Sequence, residues 1–394
     1  MCRGTGNLFL SGIKWKSPQM EPLKGIFLQR INRFVIKAKL GGKLVRAYLP
    51  NPGRLWELLI EGREVILSRA KRGKFPYIVL GCIKNGHPVL LHTHLTNKIV
   101  KDLIEKKRIP FLKGYRVLKE EMKLDNSRFD FLLENEDTGE KLLLEVKTCT
   151  LFGKNVAMFP DAVTKRGKRH LYELSCAEKY GYRGACLFVV MNPDVQYFLP
   201  AYHIDFEFSR AFMELRKKIN LWAISLKSKD DLSSFEVVRE VTIPYHIIER
   251  EAQNKGAYFL ILKTPSRKIK TGGLGTIHFK KGFYVYVGSA RRNLIQRARR
   301  HLKKRKKLRW HIDYLSREAK SLKLLLIRSS MDLECEMAGK LSSISEGMIP
   351  GFGSGDCRCP SHLFYFSSNP LKNENFINTF CYFMLDRIME NYID

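Results

Sequence analysis

Between residues 20 and 95 the apolar positions fall in short, closely spaced runs: Gly25-Ile-Phe-Leu28, Phe34-Val-Ile-Lys-Ala38, Leu44-Val-Arg-Ala-Tyr-Leu49, Glu64-Val-Ile-Leu67, Tyr77-Ile-Val-Leu80 and Val89-Leu-Leu-His92. Runs of this length, rich in β-branched and aromatic residues, predict strands. Asn51-Pro-Gly53 interrupts them as a turn, and Arg54 to Leu59 follows as a short helical segment. About five short strands with one such insertion suit a small barrel. Residues 1–19 read as an extension, with Met20 an alternative start.

Further along, the pattern changes. In residues 96–243, Thr164 to Tyr180 reads as a helix with a basic entry, and Gly184-Ala-Cys-Leu-Phe-Val-Val-Met191 as a buried strand. Strand, helix and strand in succession predict an α/β sandwich. In residues 244–370, Gly256-Ala-Tyr-Phe-Leu-Ile-Leu262 and Gly282-Phe-Tyr-Val-Tyr-Val-Gly288 are strands, and Ser289 to Leu302 reads as a helix. Residues 371–394 supply a terminal helix, Asn373 to Tyr392, with Phe376, Phe380, Phe383 and Leu385 docking on the body. The predicted class is multi-domain α+β: a small β-barrel, an α/β sandwich and a small α+β domain.

One greasy stretch breaks its own pattern. Leu142-Leu-Leu-Glu-Val-Lys-Thr-Cys-Thr-Leu151 carries Glu145 and Lys147 two positions apart, hence on one face of a strand. Charge buried there costs free energy unless it is paired. Upstream, Arg128-Phe-Asp-Phe-Leu-Leu-Glu134 reads as a second strand, joined through the turn-forming Asn135-Glu-Asp-Thr-Gly-Glu-Lys141. A turn centred between Asp137 and Thr138 sets Asp130 directly across from Glu145, at about 5 Å. Two carboxylates so close need a cation, and oxygen ligands without thiolate or imidazole suit Mg²⁺ or Mn²⁺. Lys147, on the same face, is placed to orient a water or to steady a developing oxyanion. The alternative reading is a half-exposed strand with a neutralised Glu–Lys pair.

Charge changes the picture of the partner. The chain has 70 Lys+Arg against 39 Asp+Glu, a formal net charge of +31. Such an excess favours a polyanion, nucleic acid or an anionic membrane. No apolar stretch reaches the ~18 residues that span a bilayer, and Leu8-Phe-Leu10 is too short for a signal peptide. The expected partner is therefore nucleic acid, and the expected compartment the cytoplasm, in association with the nucleoid where that nucleic acid is DNA. The oligomeric state is left open, a dimer included. Nine cysteines, mostly scattered singly, do not form a disulfide framework. Cys357, Cys359 and His362 lack a second ligand pair of the usual zinc spacing, and read as a structural loop.

Candidate phosphate contacts follow from the basic residues. Arg54, Arg69, Lys71 and Arg72 line the barrel's connections beside Phe75 and Tyr77, an interleaving that suits base stacking. Lys165, Arg166, Arg169 and His170 cluster at the helix after the hairpin. Arg291 to Arg309 holds eleven Lys and Arg, among them Arg291, Arg292, Arg300, Lys303 and Lys304, which suits duplex backbone contacts.

Several strings, taken in order, carry a family resemblance. Asn51-Pro-Gly-Arg-Leu55, Arg128-Phe-Asp-Phe-Leu-Leu133, Leu144-Glu-Val-Lys-Thr-Cys-Thr-Leu151 and Phe159-Pro-Asp-Ala-Val-Thr-Lys-Arg-Gly-Lys-Arg-His-Leu-Tyr-Glu-Leu174 resemble the sugar fermentation stimulation protein family over roughly residues 20–240. That resemblance implies DNA binding, an OB-like N-terminal domain and a PD-(D/E)XK nuclease-like domain, with Asp130, Glu145 and Lys147 on the nuclease motif. Gly256-Ala-Tyr258 and Tyr286-Val-Gly288 match the GIY and YIG strings of the GIY-YIG nuclease superfamily. Arg309-Trp-His-Ile-Asp-Tyr-Leu315, Glu334-Cys-Glu336 and Pro350-Gly-Phe-Gly-Ser-Gly-Asp-Cys-Arg-Cys-Pro-Ser-His-Leu363 resemble its Uri-type branch. By that likeness Arg297 stands at the catalytic arginine, with His301 four residues on along the same helix face. In such a site Tyr258 and Tyr286 would share proton transfer and orientation, Arg297 would clamp the phosphate, and Glu334 or Glu336 would hold Mg²⁺.

The expected function is Mg²⁺-dependent DNA processing. The main alternative is a non-catalytic DNA-binding regulator of sugar metabolism, and a weaker one is RNA processing. In either case affinity for nucleic acid is electrostatic in origin. With roughly six to ten phosphates neutralised, DNA affinity should fall by about 10³–10⁵ between 50 and 200 mM salt. Binding isotherms across that range measure it, and a flat response excludes it.

Overall fold

The computed structural model describes residues 21–392, apart from Arg72 and Asn126. The expected extension at residues 1–19 and the candidate phosphate contact Arg72 lie outside the described residues. The first strands are β1 (Leu23–Asn32), β2 (Val35–Leu40), β3 (Lys43–Tyr48), β4 (Glu64–Arg69), β5 (Tyr77–Lys84) and β6 (His87–Leu90). They pair in the order β3-β2-β1-β4-β5-β6, and a parallel β3–β5 contact closes the first five into a barrel. Its interior is filled by Phe27, Ile36, Ala38, Ala47, Val65, Leu67 and Val79.

Arg54 to Leu59 forms a tight turn rather than the expected helix. The carbonyl of Leu55, itself at φ 54°, accepts from the amides of Leu58 and Leu59 at 3.2 and 2.8 Å. The reason is Arg30, whose guanidinium donates to the carbonyls of Asn51, Gly53 and Arg54 at 3.1, 2.6 and 2.8 Å. Carbonyls held by a side chain are drawn away from a helical ladder. The turn is also the seam to the next domain. Asp161 Oδ2 accepts from the Arg54 amide at 3.0 Å, and a Cβ on Gly53 would stand 1.9 Å from the same oxygen. Only glycine permits that approach.

The central domain begins with α1 (Thr96–Glu105) and continues through β7 (Tyr115–Leu124), β8 (Ser127–Asn135), β9 (Lys141–Cys149), β10 (Leu151–Phe152) and β11 (Val156–Phe159). Then come α2 (Lys165–Leu174), β12 (Arg183–Val190), β13 (Tyr197–Pro200), α3 (Phe206–Leu215), β14 (Asn220–Ser228) and β15 (Phe235–Glu240). The main sheet has the order β15-β14-β12-β9-β8-β7, with β9, β12 and β14 parallel to one another. Parallel strands covered on both faces read as continuous apolar runs, which is why β9 and β12 are so greasy. Helix α2 is shorter than expected. It stops at Leu174, and one 3₁₀ turn, Ala177–Tyr180, precedes a left-handed Gly181 (φ 74°) that swings the chain into β12.

The last unit contains α4 (Tyr245–Glu251), β16 (Gly256–Thr264), β17 (Arg267–Lys270), β18 (Thr276–Phe279), β19 (Gly282–Ala290), α5 (Leu294–Arg300) and α6 (His311–Glu318). It is completed by β20 (Lys320–Arg328), α7 (Glu334–Ser342), β21 (Gly347–Met348), β22 (Leu363–Phe366), α8 (Glu374–Cys381) and α9 (Arg387–Tyr392). An antiparallel sheet, β20-β16-β19-β22-β21, lies at its centre. Ser289 and Ala290, expected to open a helix, remain paired with β16, and the helix starts only after Asn293 turns left-handed (φ 54°). A π turn, Tyr382–Asp386, joins α8 to α9, and Phe376, Phe380, Phe383 and Leu385 are all buried as expected. Among the described residues, no helix is long and apolar enough to cross a membrane.

A buried polar knot ties these units together. Glu251 accepts from the Arg387 guanidinium (2.9 Å), the Tyr392 hydroxyl (2.7 Å) and the Ser330 amide and hydroxyl (3.0 and 2.6 Å). Nearby, Arg328 donates to the carbonyls of Tyr202 and Gln253, each at 2.7 Å. Burial opposes ionisation of Glu251, but the bonds from Ser330 and Tyr392 and the charge of Arg387 outweigh it and hold its pKa at about 2. A depressed folded-state pKa contributes stability that is present above the unfolded value of about 4.5 and is lost as pH falls toward 2. Glu251→Gln should remove that part of the pH dependence, roughly 3 kcal/mol, in denaturant titrations between neutral and acid pH.

Candidate active sites

The β8–β9 ladder runs from Glu134–Lys141 to Phe131–Leu144. Continuing that register sets Asp130 opposite Glu145. Here the side chain of Asp130 replaces the ladder: Oδ2 accepts from the Val146 amide at 2.7 Å, and Oδ1 from Asn97 Nδ2 of α1 at 2.6 Å. Burial and the charge of Glu145 push the Asp130 pKa up to about 6.

Glu145 is 4% exposed. Its Oε1 accepts from Lys147 Nζ and, at 2.7 Å, from His170 Nδ1. Its Oε2 is buried with no hydrogen-bond partner. Burial opposes ionisation of Glu145, yet Lys147 and His170 hold the carboxyl below the usual range. For Lys147, burial likewise opposes the charge, and Glu145 keeps it raised. The result is an ionised carboxylate with one oxygen satisfied and the other buried without a hydrogen-bond partner.

His170 corrects an expectation. Expected at a phosphate, it is instead 1% exposed and belongs to the buried stripe Gly167, His170, Leu171, Leu174 of α2. That spacing is the signal by which the sequence could have placed it. Arg166 Nε donates to His170 Nε2 at 3.2 Å, which leaves the proton on Nδ1 for Glu145. Thr164 starts α2 by accepting from the Gly167 amide at 3.0 Å. Asp205 accepts in turn from the Thr164 amide at 2.8 Å. Lys165 and Arg169 are exposed, Arg169 lying 3.5 Å from Glu173. Asn97, distant in sequence, was missed, and nothing in its local spacing marks it.

A second cluster forms in the last domain. Tyr258 on β16 and Tyr286 on β19 have ring centroids 6.3 Å apart. A Cβ on Gly288 would stand 2.5 Å from the Tyr258 hydroxyl, so glycine makes room for it. That hydroxyl lies 2.8 Å from His301 Nε2, and His301 Nδ1 lies 3.3 Å from Asp313 Oδ1. Asp313 also accepts from Arg300 at 2.8 and 3.0 Å and from the amides of Arg309 and Trp310. Burial lowers the His301 pKa to about 4 despite Asp313. The ring is therefore neutral, with its proton toward Asp313 and Nε2 free to accept from Tyr258. Burial raises the Tyr258 pKa, and the nearby Arg297 opposes that. Arg297 is exposed and stacks 4.8 Å from the Trp310 ring. Glu334 accepts from Ser289 Oγ and, at 3.2 Å, from His362 Nδ1, and its charge acts on both tyrosines. Glu336 is exposed and faces Tyr382 instead. Asp313, quoted in the family string but given no role there, is the residue that sequence reasoning missed.

Several expected phosphate contacts serve the fold. Arg300 is spent on Asp313 and on the Lys307 carbonyl. Lys304 donates to the carbonyls of Ser316, Arg317 and Ala319, closing the end of α6. Arg54 is half-buried, 5.4 Å from the Trp56 ring and within the field of Asp161. Arg69, Lys71, Arg291, Arg292 and Lys303 are exposed. On the barrel, exposed Phe34 and Tyr48 stack at 6.4 Å with Arg33 5.7 Å from Phe34, a platform absent from the sequence reading.

Residues 28–91 match the SfsA N-terminal OB domain, residues 94–232 the sugar fermentation stimulation protein RE domain, and residues 257–384 a domain of unknown function, DUF123. The sugar fermentation stimulation protein homolog of Methanothermobacter thermautotrophicus is 39% identical over 193 residues, 48% of this chain and 80% of that one. The homolog from Aquifex aeolicus is 37% identical over 224 residues, 57% of this chain and 97% of that one. Pyrococcus furiosus SfsA, solved in complex with Ca²⁺, is 30% identical with a TM-score of 0.54, covering 59% of this chain and 99% of that one.

Proposed function

Since the chain belongs to the sugar fermentation stimulation protein family, we propose that it binds DNA and hydrolyses phosphodiester bonds with a divalent cation held by Asp130 and Glu145. The observation that carries this reading is Glu145 Oε2, a buried charged oxygen without a partner, next to Asp130. The Ca²⁺ complex of the Pyrococcus furiosus relative supports a hard cation in the same family.

A cation there would supply Lewis acidity and a bound water of lowered pKa. Asn97 and the Val146 amide hold Asp130 in place, and His170 holds Glu145. Lys147, pinned at Glu145, is the group that would orient the attacking water or face the developing oxyanion. The barrel's Phe34–Tyr48 platform would stack exposed bases, and Arg69, Lys71, Lys165 and Arg169 would track phosphates.

A second reading concerns the last domain, favoured by the Tyr258–His301–Asp313 relay. Neutral His301 would accept the Tyr258 hydrogen bond and so hold that hydroxyl toward the phosphate, Asp313 would fix the His301 tautomer, and Arg297 would clamp the phosphate. Tyr286 would orient the phosphate, and Glu334 would offer its remaining lone pairs to a cation.

Calorimetry with Mg²⁺ or Mn²⁺ tests the first reading. Asp130→Asn and Glu145→Gln should each abolish metal binding in the central domain while DNA binding persists or tightens. Wild-type affinity for metal should also fall as pH drops through about 6, because protons compete for Asp130. Titrations identical to wild type would leave a DNA-binding regulator as the reading.

The last domain is tested in the full chain with Asp130→Asn as background. Arg297→Ala should lower residual cleavage by about 10²–10³ with little loss of binding. Arg291→Ala, equally charged but outside the cluster, should leave the rate nearly unchanged. Equal losses, through binding alone, would reduce Arg297 to part of a basic surface.

A further inference from the structure

The loop between β21 and β22 brings Cys357, Cys359 and His362 against Cys335, which sits in the first turn of α7. One ligand atom from each of the four lies within 4.8 Å of all the others. Cys357 Sγ and His362 Nε2 are already 3.5 Å apart. In a tetrahedral zinc site, bonds of about 2.0–2.3 Å set neighbouring ligand atoms roughly 3.3–3.8 Å apart. The cluster therefore needs a contraction of about 1 Å or less. All three cysteines are free thiols.

The imidazole is oriented for coordination. His362 is 2% exposed, and its Nδ1 faces Glu334 Oε1 at 3.2 Å. A carboxylate acceptor there keeps the proton on Nδ1 and aims the Nε2 lone pair at the thiols. Metal-bound histidines are held in this way by an outer carboxylate. Glu334 is itself anchored by Ser289 Oγ.

The loop is shaped to present its three ligands. The Gly351 amide donates to the Pro360 carbonyl at 2.9 Å, and the His362 amide to the Phe352 carbonyl at 2.8 Å. Gly351 and Gly353 take left-handed conformations (φ 69° and 75°) that a side chain would strain. The His362 carbonyl accepts from the Val287 amide of β19 at 2.9 Å, so the cage lies beside the Tyr286 strand.

We propose that Cys335, Cys357, Cys359 and His362 form a structural zinc site, with Glu334 as the outer partner of His362. Three thiolates and an imidazole select a soft ion over Mg²⁺. Four protein ligands leave no open position, which makes the site structural rather than catalytic. Its consequence is mechanical: the ion clamps α7 and the β21–β22 loop behind Tyr286. The site is independent of the cation at Asp130 and Glu145.

Elemental analysis of the full chain, purified under reducing conditions without chelator, should find one zinc per molecule. Replacement with Co²⁺ should give thiolate-to-cobalt charge-transfer absorption and the visible bands of tetrahedral cobalt. Cys359→Ser should lose stoichiometric zinc, and Glu334→Gln should weaken affinity about 10–100-fold. Cys176→Ser, an exposed thiol elsewhere, should change nothing. Should the cysteine variants not fold, alkylation of wild type decides. Cys335, Cys357 and Cys359 should be protected until a chelator is added, while Cys176 reacts throughout. Absence of zinc with no cobalt spectrum, equal alkylation of all four thiols, or a disulfide within the cluster would each overturn the assignment.

Discussion

A carboxylate buried in the middle of an apolar sheet is the constraint around which the central domain is arranged. Glu145 lies on β9, between β8 and β12, with Leu144 and Val146 on either side. An uncompensated charge there costs several kcal/mol. Lys147 compensates from the same strand, but His170 must come from α2, so the helix has to start in one place and turn one face inward. Thr164 and Asp205 fix that start. The compensation stops short of the second carboxylate oxygen, beside an Asp130 whose charge is also disfavoured, and the proposed cation site rests on that incomplete satisfaction.

The last domain meets the same demand, again from a buried carboxylate. Its basic run looks like a uniform cationic surface, yet a buried Asp313 draws part of it inward. Arg300 bonds to that carboxylate, Lys306 lies 3.6 Å from it, and Lys304 closes the end of the neighbouring helix. The same aspartate fixes the tautomer of His301 and so the direction of its bond to Tyr258. The formal charge of +31 therefore overstates what is available to phosphates.

Two buried polar contacts hold the units in relation to each other. Asp161 meets the Asn51-Pro-Gly-Arg turn at a distance that only glycine allows, which couples the barrel to the loop leading into α2. Arg328 of the last sheet bonds to the Tyr202 carbonyl of the central domain, and Glu251 ties α4 to the closing helix through Arg387. The strings by which the family is recognised thus include residues whose work is to join domains, alongside those at the candidate sites.

The sequence by itself determined the barrel strands, the β8–β9 hairpin and its register. Alternation and turn chemistry are local, and a period of two assigns faces once the turn is located. Asp130 against Glu145 follows from that register, as do the glycine-flanked tyrosine strands of the last domain. Partners across the fold are another matter. Asn97, Asp313 and Cys335 lie far along the chain from the groups they meet, and no local pattern carries a long-range distance. The destinations of Arg54, His170, Arg300 and Lys304 were decided only by tertiary structure. A basic side chain gains more from a buried carboxylate or a row of orphan carbonyls than from solvent, and only the folded chain brings those within reach.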